Sequence, residues 1–304
     1  MSQPRVNPYL AVIIGVIGTS FAAIFVRLST APFLIIAFYR LFFTILILSP
    51  IFIRLKAWRE LRFLSRKKIL IIVAAGVLLA LHFAFWMASL DPVFGTSIAS
   101  SVILVDLSSI FVAIFAYILL KEKLTRVRII GILIAFLGAC IIALNDWSST
   151  SNSSLLGDIL ALMGAIMCAL YLVIGRYVRQ EVNLIPYVFL LYSACTLTLF
   201  LVCFSVGHPF FTYNLVNFIL FLALAIVPTI FGHTLYNWAL KFVDTAIIGV
   251  SLLAEPIGSI LLGIVIIGEI PHLLVIAGGI LVLGGIYLTF RVAPKVMKKI
   301  EQNP

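Results

Sequence analysis

Charge is scarce in this chain of 304 residues: only 11% are Asp, Glu, Lys or Arg, against about a quarter in soluble domains. Hydrophobic residues make up 63%. A single water-soluble core cannot hide that much apolar surface, so a soluble globular fold is excluded. Cysteine is also rare. Cys140, Cys168, Cys195 and Cys203 all lie inside apolar runs without C-x-x-C spacing, which argues for small hydrophobic filler and for neither disulfide nor zinc site. A P-loop is missing, and with it the signature of direct nucleotide drive. The G-x-S-x-G elbow of a serine nucleophile is missing too. The serine-rich "FGTSIASS" (Phe94–Ser101) does not match it, and helical serines commonly bond backbone instead. No helix carries H-x-x-x-H or H-x-x-E spacing, so neither a metal site nor a cofactor is expected.

What the chain does have is long apolar runs, and the expected class is an all-α membrane protein with many spans. Ten runs approach the twenty or so residues that a span needs: 8–27, 32–54, 69–90, 94–120, 127–144, 155–176, 184–206, 214–240, 245–268 and 271–291. Lipid tolerates no unpaired backbone, so these must be helices. Tyr9–Val26 resembles a signal-peptide core. It is long and lacks a small-residue cleavage site, so it is read as the first span, with no cleavable leader.

The net charge of +10 would suggest nucleic acid in a soluble protein. Here the basic residues sit between spans. With both termini cytoplasmic in a plasma membrane, 19 of 21 lysines and arginines fall on the inner side, as the positive-inside rule requires. Only Arg27 falls outside, and Arg40 lies within a span. Trp58 and Trp147 sit near the expected interfaces. The lipid bilayer is thus one expected partner, and nucleic acid is not.

The chain repeats internally. One offset places Ala99 on Ala246, Glu122 on Glu269, Gly131 on Gly278 and Gly138 on Gly285; another sets "HFAFWMA" (His82–Ala88) beside "HTLYNWA" (His233–Ala239). Five spans per half is an odd number, so the halves must be inverted, and inverted repeats commonly hold a substrate at their interface. The expected organisation is a first repeat over 1–146, an outer linker over 147–154, an inverted repeat over 155–292 and a basic tail over 293–304.

The ten-span plan, "AFYRLFF" (Ala37–Phe43), "LLKEKLT…GILIAFLGA" and "LLAEPIGSILLGIVIIGE…GGILVLGG" together resemble the EamA-type family of the drug/metabolite transporter superfamily. The resemblance departs at one point: Ser109 stands where the second half has Pro256. It implies export or exchange of small metabolites, often amino acids, amines or nucleoside-like compounds, by alternating access.

Charges inside the bilayer cost about 3 kcal/mol or more, so each needs a partner or a hydrated cavity. Arg40, Asp106 and Glu255 are the three. Asp106 and Glu255 fall near the middle of spans four and nine, which are repeat partners. Arg40 enters roughly 12 Å from the outer side at about 1.5 Å per residue. The expectation is that Arg40 pairs with Asp106 or receives an anionic solute group; a permanent structural pair is the plainer alternative. Pro256 cannot donate to the carbonyl of Leu252, so a bend is expected beside Glu255, which then binds a proton or a cationic group; the plainer role is a protonated side chain bonded to a neighbouring helix.

His82, Phe85 and Trp86 share i, i+3, i+4 spacing, and so do His233, Tyr236 and Asn237. Each face offers a hydrogen-bonding ring and an aromatic plane, suited to an organic solute; satisfied packing against backbone is the alternative. Pro228, expected to disturb the carbonyl of Leu224, and Pro256 are the hinge candidates. Gly131, Gly138, Gly278, Gly279, Gly284 and Gly285 are expected to serve close helix contact, as scaffold or in a homodimer.

The expected function is a secondary transporter, with a small-molecule substrate and protons as the candidate coupling ion. Amino-acid or amine export or exchange is the favoured cargo. An intramembrane enzyme, and a sodium-coupled ten-helix carrier of another family, are the alternatives.

Overall fold

The computed structural model describes residues 7–94, 96–120, 125–148, 153–243, 251 and 254–291. Among them every regular element is a helix, the arrangement that satisfies backbone without water. Asn7 caps α1 (Pro8–Ser20): its side chain accepts the Tyr9 N–H at 2.9 Å, and Pro8 begins the helix where no N–H is needed. After a break at Phe21 the chain continues as α2 (Ala22–Leu28), then α3 (Phe33–Arg54), the short α4 (Trp58–Phe63) and α5 (Arg66–Ser89). The fourth long run is broken at Leu107 into α6 (Ile98–Asp106) and α7 (Ser108–Leu120). The next are α8 (Arg126–Ser148), α9 (Ser153–Val178) and α10 (Leu184–Val206). Then α11 (Leu215–Leu224) passes through a π-helical segment, Ala225–Thr234, into α12 (Leu235–Ala239). The last elements are α13 (Ala254–Leu262), a π turn (Gly263–Ile267) and α14 (Leu273–Arg291).

Seven helical runs among the described residues are long and apolar enough to cross a membrane: Pro8–Leu28, Phe33–Arg54, Arg66–Ser89, Ile98–Leu119, Leu155–Val178, Leu184–Val206 and Leu215–Ala239. Ile129–Ile142, Glu255–Ile267 and Leu273–Leu288 are apolar but shorter. Large apolar side chains such as Ile17, Phe136, Val265 and Ile280 point outward, as a lipid-facing surface requires. Arg40, Thr44 and Asp106 are buried instead.

The breaks have local causes. Pro228 deprives the Leu224 carbonyl of its helical donor. The helix widens there to the π form, and the Thr229 hydroxyl donates to that carbonyl at 2.8 Å. Thr234 repeats the device on the Thr229 carbonyl at 3.0 Å. The bend expected at Pro228 is therefore a π-helical stretch. Pro256 is the third residue of α13, while Leu252, whose carbonyl it was expected to disturb, lies outside the described residues.

Glycine joins α8 to α14. A Cβ on Gly285 would meet the Gly131 carbonyl oxygen and the Ala135 nitrogen at 2.5 Å, and one on Gly138 would meet the Gly278 carbonyl oxygen at 2.5 Å. Backbone rests on backbone, with no room for a side chain.

Polar ties close both ends of the bundle. At one end Arg27 bonds the Thr96 carbonyl at 2.9 Å and pairs with Glu269 at 3.4 Å, while Glu269 accepts the Ile98 N–H at 2.5 Å. At the other end Arg179 donates to the Asn237 carbonyl at 2.9 Å, and Arg176 to that of Leu240 at 2.5 Å, placing cations at the end of α12 where carbonyls lack donors. Lys68 pairs with Glu181, and Glu60 accepts from Asn183 at 2.7 and 2.8 Å.

A bulky residue at Gly285 is expected to lower stability by about 1–3 kcal/mol or more through overpacking. Gly284 has nothing within 4 Å of a Cβ and is the matched control. Thermal unfolding of Gly285→Leu beside Gly284→Leu in detergent should show a lower Tm for the first alone.

Candidate functional site

Side chains from many elements converge on one hollow. The first part of the chain contributes Thr19 and Ala22 from the α1–α2 break, Arg40 from α3, His82 and Trp86 from α5, Val105 and Asp106 from α6, and Ser108 from α7. The later part contributes Cys168, Tyr171 and Leu172 from α9, His233 from the π segment, Tyr236 from α12 and Glu255 from α13. Among the described residues, none of α8, α10 or α14 lines it. The hollow measures about 530 Å³ counting the part open to its surroundings, and its enclosed part has room for only a few waters.

Helix breaks surround the hollow. Thr19 and Ser20 sit at the end of α1, and both hydroxyls donate back to the Val16 carbonyl, at 3.1 and 2.9 Å. Ser259 of α13 donates to the Ser20 carbonyl at 2.9 Å, clasping the break from the other side. Asp106 is the last residue of α6, immediately before the interruption at Leu107, and its Oδ2 is buried without a hydrogen-bond partner.

Arg40 is wholly buried. Its Nε donates to the Thr229 hydroxyl at 2.7 Å, and its guanidinium carbon lies 4.2 Å from the centre of the Phe83 ring, a cation–π contact. The pairing of Arg40 with Asp106 that the sequence suggested is not made. Among the described residues the ion pairs are Arg27–Glu269 and Lys68–Glu181.

The two histidines approach each other. Their ring centres are 6.1 Å apart, and Phe83 packs edge-on against His233 at 5.3 Å. His82 holds its Nδ1 at 2.9 Å from the Gly164 carbonyl; a carbonyl only accepts, so this nitrogen carries the proton and Nε2 is the remaining acceptor. Backbone satisfaction and a place in the hollow's wall thus occur together in one residue. His233 Nδ1 lies 3.0 Å from the Tyr171 hydroxyl, and Thr19 lies 3.0 Å from that of Tyr236.

Seven of the nine residues singled out in the sequence line the hollow: Arg40, His82, Trp86, Asp106, His233, Tyr236 and Glu255. Two do not. Phe85 faces an apolar groove with Phe33, Leu81 and Leu199. At about 100° per residue, Phe85 falls to one side of His82 and Trp86 to the other, so only one of them can share the inward face fully. Asn237 is buried behind the site, donating to the His233 carbonyl at 2.8 Å. The π segment just before it takes more residues per turn, which turns Tyr236 inward and Asn237 away.

Sequence reasoning missed Thr19, Tyr171 and Thr229, and took Cys168 for filler. Cys168, Tyr171 and Leu172 stand at i, i+3 and i+4, a face pattern that was readable; Thr229 follows a proline, where a hydroxyl can satisfy freed backbone. The serines of the Phe94–Ser101 stretch serve structure: Ser97 caps α6 by accepting the Ser100 N–H at 2.9 Å, and Ser101 meets Ser89 at 2.6 Å.

The sequence pattern of the EamA-like transporter family matches residues 7–144 and 155–291. A protein of Archaeoglobus fulgidus named as an uncharacterized transporter is 31% identical over 214 residues, spanning 67% of this chain and 71% of its own. The uncharacterized transporter YxxF of Bacillus subtilis is 25% identical over 228 residues, spanning 74% and 71%. A solved crystal structure superposes over 96% of this chain and 100% of its own with a TM-score of 0.65 at 17% identity, a likeness of fold alone. With both long matches on one family, a hollow built from both parts of the chain and helices of membrane length, the chain belongs to the EamA-like transporter family of the drug/metabolite transporter superfamily.

Proposed function

We propose that this protein is a secondary transporter in the plasma membrane that exports or exchanges amino acids or amines by alternating access, with protons as the coupling ion. The observation that carries the reading is the convergence of charged and polar side chains from both matched regions on a single hollow. Placing Arg40, Asp106 and Glu255 among apolar helices is costly, and a hydrated solute path gives them a reason to be there. The enclosed space is small, so a solute enters by helices parting rather than by filling a ready cavity.

In this reading all ten apolar runs cross the bilayer as two inverted halves, with both termini cytoplasmic. The Arg27–Glu269 tie then faces outward and the Lys68–Glu181 tie inward. The breaks at Phe21, Leu107 and the π segment are where the helices flex. Breaks of this kind also suit the sodium-coupled alternative, but the family match assigns the chain elsewhere. A homodimer would use outward apolar surface such as Leu133 and Phe136 of α8, because Gly138, Gly278 and Gly285 are spent within the chain.

Glu255 is the coupling candidate. It shares the hollow with Asp106, Arg40, His82, His233 and Tyr236, so a change in its charge acts on the space a solute would enter. One carboxylate can exchange a proton for a cationic group as the hollow opens to either side.

In proteoliposomes loaded with a mixture of amino acids and amines, an imposed pH gradient should drive uptake by the native protein. Glu255→Gln should abolish the gradient dependence while leaving exchange at equal pH. Gradient-driven uptake that survives the substitution would remove Glu255 from coupling, and silence toward every solute would sink the transport reading.

Cys168 lines the hollow and reports its accessibility. In a background lacking Cys140, Cys195 and Cys203, Glu269→Gln should release the Arg27 tie and raise severalfold the labelling of Cys168 by an impermeant thiol reagent added outside. Unchanged labelling would show that the tie does not guard the outer entrance.

A further inference from the structure

Arg40 is the only arginine or lysine lining the hollow among the described residues. Three of its surroundings are already fixed. Its Nε is engaged by the Thr229 hydroxyl at 2.7 Å, its flat face is covered by the Phe83 ring, and the residue is fully buried. Thr229 cannot swing away freely, because its own proton goes to the Leu224 carbonyl, the group that Pro228 leaves without a helical donor. What the protein leaves unengaged is the opposite edge of the guanidinium: Nη1 and Nη2 are both buried and neither has a hydrogen-bond partner. Neither Glu255 nor Asp106, which share the hollow, comes within ion-pairing distance.

An arginine held by Nε and by one face presents a planar pair of N–H donors whose geometry matches a carboxylate bidentately; a lysine in the same place would be a point charge without that fork. Trp86, also in the wall, adds an indole N–H that is likewise buried and unpartnered. Arg40 and Trp86 thus each bring an unengaged donor to the lining of the same hollow.

We propose that the Nη edge of Arg40 is the carboxylate reader of the transported solute, making Arg40 a specificity-determining residue and Thr229 the positioning residue that aims it. The proposal rests on the transport reading above and narrows it: a solute bearing a carboxylate is accepted, and an amine of the same shape without one is rejected. Rejection follows because a site built to bond an anion is left with unpaired buried donors when the anion is missing. Thr229 also lies inside the π segment, so any turn of that segment about Pro228 re-aims the fork. That ties carboxylate binding to the state of the bundle.

The test is binding to the purified full chain in lipid nanodiscs, followed by thermal shift and tryptophan fluorescence. The probes are L-phenylalanine, 2-phenylethylamine and 3-phenylpropionate, and the same trio built on leucine. The native protein is expected to bind the carboxylate-bearing members at least tenfold more tightly than the amines. Arg40→Met should erase that preference by weakening the carboxylates and leaving the amines unchanged, and Arg40→Lys should restore it only in part. Thr229→Val should weaken carboxylate binding severalfold without altering amine binding, and Thr229→Ser, which keeps the hydroxyl, should bind as the native protein does. If the native protein binds amines as tightly as amino acids, or if Thr229→Val weakens both equally, Arg40 does not read a carboxylate while the transport reading stands. If no member of either trio binds, both fall together.

Discussion

A proline inside a helix that lipid surrounds leaves a carbonyl that something must satisfy, and the answer at Pro228 organises the centre of this protein. Water is not at hand in the hydrocarbon region, so the donor must come from the chain itself. Thr229 supplies it, the helix widens to the π form, and the same hydroxyl receives Arg40 from α3. One defect thus fixes the position of the costliest residue in the interior. The π form also turns Tyr236 inward beside His233. A straight α-helix in that place would orient a different set of side chains.

The periphery follows a different rule. Where α8 meets α14 the contact is backbone on backbone through glycine, and among the described residues neither helix lines the hollow. Lipid tails are as apolar as leucine, so close dispersion contact rather than hydrophobic burial holds such helices. The molecule therefore separates a closely packed glycine pair from a centre of interrupted helices: α1–α2, α6–α7 and α11–α12. Each interruption carries a residue of the hollow or stands beside one, namely Thr19, Asp106 and His233. Irregular backbone and the polar lining of the hollow occupy the same places because irregular backbone inside a membrane is tolerated only against protein or water.

The ties at the two ends connect these regimes. Glu269 closes on Arg27 and on the first N–H of α6, so the end of the π turn after α13, the end of α2 and the start of α6 move as one unit or not at all. Arg176 and Arg179 do the same for the end of α12. The Arg27–Glu269 tie joins two partly exposed side chains and is accordingly modest in strength, whereas Arg179 is buried and donates to a backbone carbonyl.

The sequence by itself determined the class, the apolar runs, the isolation of Arg40, Asp106 and Glu255 within them, and the glycine faces, because each of these is a one-dimensional consequence of composition and spacing. His82 and His233 were legible for the same reason: they recur at matched places in two similar segments. Only the tertiary structure decided the rest. Which of Phe85 and Trp86 faces inward, and whether Tyr236 or Asn237 does, depends on the rotation of a whole helix and on a π insertion that spacing rules do not carry. That Arg40 rests on Thr229 rather than on Asp106 is a contact across 189 residues. The face of α9 that brings Tyr171 to His233 carries no charge to announce it. Relative rotation and helix-to-helix register are set by packing among segments distant in the chain, so no local pattern could have specified them.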